Sequence, residues 1–101
     1  MFSLQGHALL KGVTPQAGTT VDGREVAFAL DFNTRIDGVR SRLELLTPEK
    51  KTVVLQIEPQ ISPGSLRARA HDLRSGAYTL RWQALAIDGH ITRGEVPFAV
   101  K

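Results

Sequence analysis

The residues "AYTLRWQALAIDGHITRGEVPFAV", 77–100, give the clearest indication of the fold. Apolar and polar residues alternate on both sides of the centre of this stretch, which is the pattern of half-buried β-strands. Asp88-Gly89-His90 lies between the two runs, and Asp-Gly between alternating apolar runs is a strong hairpin signal, because both residues tolerate the positive φ angles of a type I′ turn. The stretch predicts a long terminal hairpin with an inward face formed by Tyr78, Leu80, Trp82, Ala84, Ala86, Val96, Phe98 and Val100.

The same alternation predicts five earlier strands, separated by Gly, Pro, Asp or Asn, at residues 7–11, 25–32, 40–46, 52–57 and 65–70. Residues 14–23 are rich in turn formers and are predicted to form a loop. No helical periodicity is present. We therefore predict an all-β fold, a Greek-key sandwich or barrel of seven or slightly more antiparallel strands, immunoglobulin-like in type. Its other inward side chains are Val26, Phe28, Leu30, Phe32, Leu43, Leu45, Leu66, Ala68 and Ala70.

One feature of the terminal hairpin departs from this alternation. Leu85 and Ile87 are apolar at positions where the strand pattern calls for polar, outward-facing residues. A β-bulge in the strand, or burial of both of its faces, would account for them.

The composition limits the classes of function. A chain of 101 residues with 42% hydrophobic and 23% charged residues is one soluble domain, and no apolar run is long enough to cross a membrane. The net charge of +3 raises the question of nucleic acid, and Arg40 with Arg42, like Arg67 with Arg69, would share a strand face. With four Phe, one Tyr and one Trp, most of them facing inward, a base-stacking platform is not expected, and we predict no nucleic-acid partner.

The possible chemistry rests on three histidines, since the chain has no cysteine. A serine hydrolase is not expected without a G-x-S-x-G motif, nor a two-carboxylate glycosidase in a domain this small, so we expect no enzyme. Asp88 and His90 are either solvent-exposed turn residues or half of a small N/O site for Cu(II), Ni(II) or Zn(II). His7 is either an exposed terminal residue or a third ligand, whereas His71 is expected to be exposed in a turn.

Three segments of the chain resemble the CopC-like family of periplasmic copper-resistance domains. They are "HALLKGVTPQAGTTV" (7–21), "VAFALDFN" (26–33) and "LRSGAYTLRWQALAIDGHITRGEVPFAV" (73–100), and together they extend the resemblance over essentially the whole length. The G-x-Y-T-x-R-W run followed by D-G-H is its specific part. The positions that match are His7, Pro15, Ala17, Gly18, Leu73, Gly76, Tyr78, Thr79, Arg81, Trp82, Asp88, Gly89, His90, Gly94, Phe98 and Val100.

The resemblance implies a Cu(II) site formed by His7, through its imidazole and its α-amine, and by Asp88 and His90. Zn(II) could substitute, although it is less suited to a planar arrangement. The implied role is non-catalytic: an exported, monomeric periplasmic protein sequesters Cu(II) or passes it on, with a membrane transporter of the CopD type as a candidate partner. Binding should weaken as the pH falls through the ordinary imidazole pKa of about 6.5. A methionine-rich Cu(I) site is not expected, because Met1 is the only methionine.

The position of His7 limits this assignment. Its α-amine exists only if residues 1–6, a signal-peptide remnant or a cloning remnant, are cut from a CopC-like domain of residues 7–101. Cleavage after Ala8 would instead discard the histidine. The alternative is a metal-free interaction module that docks on a membrane or periplasmic partner, through a sheet edge or through residues 85–87. An oxidative copper enzyme is disfavoured, because nothing indicates a substrate groove.

Overall fold

Two packed β-sheets form the part of the chain that the computed structural model describes, residues 8–101. The eight strands are β1 Leu10–Thr14, β2 Thr20–Val21, β3 Val26–Phe32, β4 Arg42–Leu46, β5 Thr52–Leu55, β6 Ser65–Ala70, β7 Gly76–Leu85 and β8 Ile91–Val100. One sheet has the strand order β1-β3-β6 and the other the order β2-β8-β7-β4-β5. None of the described residues is helical, so the predicted all-β, immunoglobulin-like sandwich is confirmed.

The core lies between the sheets and consists of the side chains that the alternation assigned to it. Every residue predicted to face inward is buried. Aromatic contacts join the two sheets: the Phe28 and Phe98 rings lie 5.6 Å apart, and the Phe32 and Trp82 rings 5.2 Å apart, both edge to face. Removing this apolar surface from water is the main force that holds the sheets together.

The structure corrects the predicted strand boundaries. Residues 14–23, predicted to be a loop, contain β2, which pairs in parallel with β8 through Thr20 with Ala99 and Val21 with Val100. A two-residue strand has no periodicity from which it could be recognised. Within residues 8–101, β1 begins at Leu10 and β5 ends at Leu55.

Neither predicted explanation holds for Ile87, whereas Leu85 is half-buried and not part of a bulge. The pairing of β7 with β8 runs without interruption from Gly76 with Val100 to Leu85 with Ile91, so there is no bulge. Ile87 is 66% exposed, so burial of both faces is also wrong there. β7 ends at Leu85, and Ile87 belongs to the turn, where the strand alternation no longer applies.

A short crossover segment, residues 33–37, connects the two sheets at the turn end of the hairpin. After β3, Ile36 forms an isolated antiparallel bridge with Ala86. The Asp37 N–H donates to the Leu85 carbonyl at 2.8 Å, and the Ile87 N–H donates to the Arg35 carbonyl at 3.1 Å. The crossover segment therefore holds the base of the hairpin turn against the end of β3.

Candidate metal centre

The Asp88-Gly89-His90 turn belongs to a hairpin with a three-residue loop, Ile87-Asp88-Gly89, which is closed by Ala86 and His90. The Gly89 N–H donates to the Ala86 carbonyl at 2.8 Å, and the Ala86 N–H donates to the His90 carbonyl at 2.8 Å. Gly89 has a φ of 98°, whereas the φ of Asp88 is not positive. The expected type I′ geometry is therefore wrong. The loop has the pattern of a turn followed by one left-handed residue, which glycine adopts without steric strain.

This turn brings the Asp88 and His90 side chains together. Asp88 Oδ2 and His90 Nδ1 lie 2.9 Å apart, and Asp88 Oδ1 accepts a hydrogen bond from the His90 backbone N–H at 3.2 Å. Both side chains are substantially exposed to solvent. A carboxylate oxygen and an imidazole thus face the same space at the tip of the hairpin.

The contacts with His90 also set the charge of the carboxylate. Hydrogen bonds from the His90 backbone N–H, and then from its ring, hold the pKa of the Asp88 carboxyl below its ordinary value of 3.8. Asp88 is therefore an anion at neutral pH. Nδ1 and the carboxylate oxygen are hydrogen-bonded to each other, so an ion bound by both residues would take the place of the proton between them.

The predicted third ligand, His7, lies outside the described residues. Its neighbour Ala8 is completely buried. Leu9 exchanges two hydrogen bonds with Asn33: its N–H donates to Asn33 Oδ1 at 2.8 Å, and its carbonyl accepts from the Asn33 N–H at 3.0 Å. The described chain therefore starts at the crossover segment, which also holds the hairpin turn.

The described residues do not complete a metal site by themselves. Within residues 8–101, no three His, Cys, Asp or Glu side chains converge closely enough to hold an ion. Asp88 and His90 supply two donors of the N/O type that suits Cu(II). A third His, Cys, Asp or Glu ligand at this turn would have to come from outside that range.

His71 lies apart from this turn. Its side chain is exposed, as predicted, and its Nδ1 lies 2.9 Å from Glu25 Oε2. The pair flanks the beginning of β3, at Val26, whereas the crossover segment follows the end of the same strand, at Phe32. The two histidines therefore lie at opposite ends of the sandwich.

Sequence reasoning missed two residues that build the neighbourhood of the turn. Asn33 and Arg35 follow a strand and look like ordinary residues of a polar connection. They act through a side-chain oxygen and a backbone carbonyl, and their partners are distant in sequence. The one signal in the sequence for Asn33 is that it is a polar residue directly after a predicted strand.

Charged side chains on the outer face of the five-stranded sheet are paired with one another. Arg81 Nε lies 3.3 Å from Glu95 Oε2, and Arg93 Nε donates to Gln83 Oε1 at 2.8 Å. On β4, Arg42 is paired with Glu44, two residues further along the same strand. Such exposed pairs contribute little to stability, and they fit a solvated sheet face.

The part of the chain that the structure describes, residues 8–101, contains no helix that is long and apolar enough to cross a membrane.

Comparisons with known proteins agree with this architecture. The chain matches the CopC domain over residues 10–101. The crystal structure of CopC from Methylosinus trichosporium superimposes with a TM-score of 0.87 at 28% identity, covering 94% of each chain. PcoC, a methionine-rich copper resistance protein from Escherichia coli, superimposes with a TM-score of 0.75 at 24% identity, covering 94% of this chain and 99% of that one, a likeness of fold.

A curated relative extends the match in sequence. Protein YobA of Escherichia coli strain K12 is 28% identical over 102 residues, covering 98% of this chain and 82% of that protein. The match to the CopC domain spans both sheets and the Asp88-Gly89-His90 turn. The chain therefore belongs to the CopC domain family.

Proposed function

We propose that this domain binds Cu(II) as cargo, in copper homeostasis or resistance, and that it holds the ion or passes it on without catalysis. The observation that carries the proposal is the 2.9 Å approach of Asp88 and His90 at the tip of the hairpin. A carboxylate that stays ionised offsets part of the ion's charge, and an imidazole supplies a nitrogen donor. Membership of the CopC domain family supports the choice of copper.

His7 is the proposed third ligand, through its imidazole and, where it begins the chain, its α-amine. These two nitrogens of one residue would close a chelate ring on the ion, and Cu(II) favours such tetragonal N,O sets. Zn(II) has the same ligands available but prefers a tetrahedral arrangement. The support for His7 is the position of Leu9, two residues later, which is bonded to the crossover segment that also holds the turn.

The setting that fits this function is the periplasm, with a monomer exchanging its ion with a membrane copper transporter of the CopD type. An exposed site favours such exchange, because a partner can reach the donors without unfolding the domain. Both Asp88 and His90 are open to solvent. Nucleic acid has no part in this proposal.

The decisive test is the affinity of the His90→Ala variant for Cu(II), measured by titration and EPR on a chain that starts at His7 and on the 101-residue chain. We expect tight binding to be abolished with little loss of stability, because the side chain is exposed. His71→Ala is the matched control, since it removes an exposed histidine that also pairs with a carboxylate. An unchanged Cu(II) affinity in His90→Ala would remove the proposal.

A second candidate, a metal-free interaction module, is favoured by apolar side chains around the same turn. Leu9, Ile87 and Ile91 are 55%, 66% and 50% exposed. Large apolar side chains grouped on a surface are typical of protein contacts. Mass spectrometry of the native protein separates the candidates: a chain beginning at His7 favours copper, whereas one beginning upstream or at Leu9 favours the module.

A further inference from the structure

We propose that Asn33 is a positioning residue for the proposed copper site, through the hydrogen bonds that hold Leu9, two residues after His7 in the sequence. The inference rests on the proposed function and adds a residue to it. Asn33 does not touch the ion in this scheme. It acts through Leu9, and so through the segment that carries His7.

The first support is the double bond between Asn33 and Leu9. The Leu9 N–H donates to Asn33 Oδ1 at 2.8 Å, and the Asn33 N–H donates to the Leu9 carbonyl at 3.0 Å. Ala8, the residue between Leu9 and His7, is completely buried. The backbone and the side chain next to His7 are therefore both held by the body of the domain.

The second support is that the crossover segment is also bonded to the turn that carries the other two proposed ligands. Two residues beyond Asn33, the Arg35 carbonyl accepts a hydrogen bond from the Ile87 N–H at 3.1 Å. Ile87 directly precedes Asp88. Residues 33–35 of the crossover segment thus connect Leu9, near the start of the described chain, with the turn that carries Asp88 and His90.

A side chain is needed at this point because the ladder between β1 and β3 ends here. Leu10 with Phe32 is the last regular pair toward the chain start, and beyond it the crossover segment turns toward β7. The side-chain oxygen of Asn33 takes the place of a ladder carbonyl for the Leu9 N–H. It therefore extends the restraint on the chain by one residue toward His7.

This restraint matters for affinity because ligands from distant chain segments must be ordered when the ion binds. Ordering a free backbone residue is unfavourable in conformational entropy. A segment already held at Leu9 loses less freedom on binding, which is the general benefit of preorganisation. Loss of a group that orients a metal ligand typically lowers affinity about 10- to 100-fold.

The test compares Cu(II) affinities of Asn33→Ala, Asn33→Asp and Thr47→Ala in the chain that starts at His7, with the 101-residue chain alongside. We expect Asn33→Ala to weaken binding about 10- to 100-fold, and Asn33→Asp to restore it, because aspartate keeps the accepting oxygen. Thr47→Ala should leave affinity unchanged. It removes a comparable bond, from the Lys51 N–H to a side-chain oxygen, in the turn between β4 and β5.

A double-mutant cycle with His7→Ala separates positioning from a general effect on the fold. If Asn33 acts through His7, then Asn33→Ala has no further effect on affinity once His7 is replaced. An equal loss in both backgrounds, or an unchanged affinity in Asn33→Ala while His90→Ala loses binding, overturns this inference and leaves the proposed function standing. If neither form of the wild-type chain binds Cu(II), both fail.

Discussion

Gly89 shows how one residue shapes the candidate site. Its φ of 98° closes the three-residue loop, so that Asp88 and His90 project from the same tip. A side chain at residue 89 would meet no atom within 4 Å, so the requirement for glycine is conformational and not spatial. The D-G-H motif is thus a turn and a frame for two donors at once.

At the same scale, the pH dependence of copper binding depends on which donor is protonated first. The pKa of Asp88 is held below 3.8 by hydrogen bonds from His90, so this carboxylate stays charged as the pH falls to that value. A protonated imidazole cannot bind a metal, and imidazoles ordinarily take up a proton at a higher pH than carboxylates do. We expect Cu(II) binding, followed by titration from pH 8 downward, to be lost well above pH 3.8.

The opposite result would show that histidine is not the determining ligand. If binding persisted down to the range in which Asp88 is protonated, oxygen donors alone would be holding the ion. Glu25→Gln, beside His71 at the other end of β3, is a suitable control and should leave the titration unchanged.

At the scale of an element, the terminal hairpin depends on close packing of Trp82 against Gly94, its partner on β8. A Cβ at residue 94 would lie 2.4 Å from Cζ2 of the indole. The ring also contacts Phe32 at the end of β3, so it cannot shift without disturbing the sheet-to-sheet contact. Gly94 therefore provides space for the indole.

The Gly94→Ala variant tests this packing. We expect it to lower the free energy of unfolding by about 1–3 kcal/mol, the usual effect of overfilling a core. Urea unfolding followed by fluorescence of Trp82, the single tryptophan, measures the change. Gly12→Ala is the matched control, because a Cβ there meets nothing within 4 Å. Equal stabilities of the two variants would contradict the packing argument.

At the scale of the whole molecule, the proposed ligands belong to both ends of the sequence, so the proposed site would exist only in the folded domain. An ion that binds the native state and not the unfolded state stabilises the native state. The gain is about 4 kcal/mol when the free ion concentration is 1,000 times Kd. For a domain of about 100 residues this raises Tm by well over 10 °C. We expect such an increase on adding Cu(II), measured by circular dichroism.

The His90→Ala variant is the control for this thermal experiment. Its Tm should change little with Cu(II), since one of the ligands has been removed. An equal rise in Tm for the variant would place the stabilising ion elsewhere on the protein.

Much of the fold, but less of the site, could be predicted from sequence. Phe28, Leu80 and Phe98 were assigned to the core by alternation alone, and all three are buried. The Asp-Gly signal placed the hairpin correctly but gave the wrong turn type, because the same two residues suit both two- and three-residue loops. A bulge or burial of both faces was predicted for Ile87, and both are wrong, because Ile87 lies in the turn beyond the end of β7.

Most of the strands, their buried faces and the hairpin at Asp88-Gly89-His90 could be predicted from the sequence, because period-two alternation and turn chemistry are properties of neighbouring residues. Only the folded structure shows that β2 pairs in parallel with β8, and that residues 33–37 are bonded both to Leu9 and to the base of the Asp88-Gly89-His90 turn. The bond between Leu9 and Asn33 joins residues 24 apart in sequence. Such a contact depends on how the sheets stack, and no local pattern encodes it.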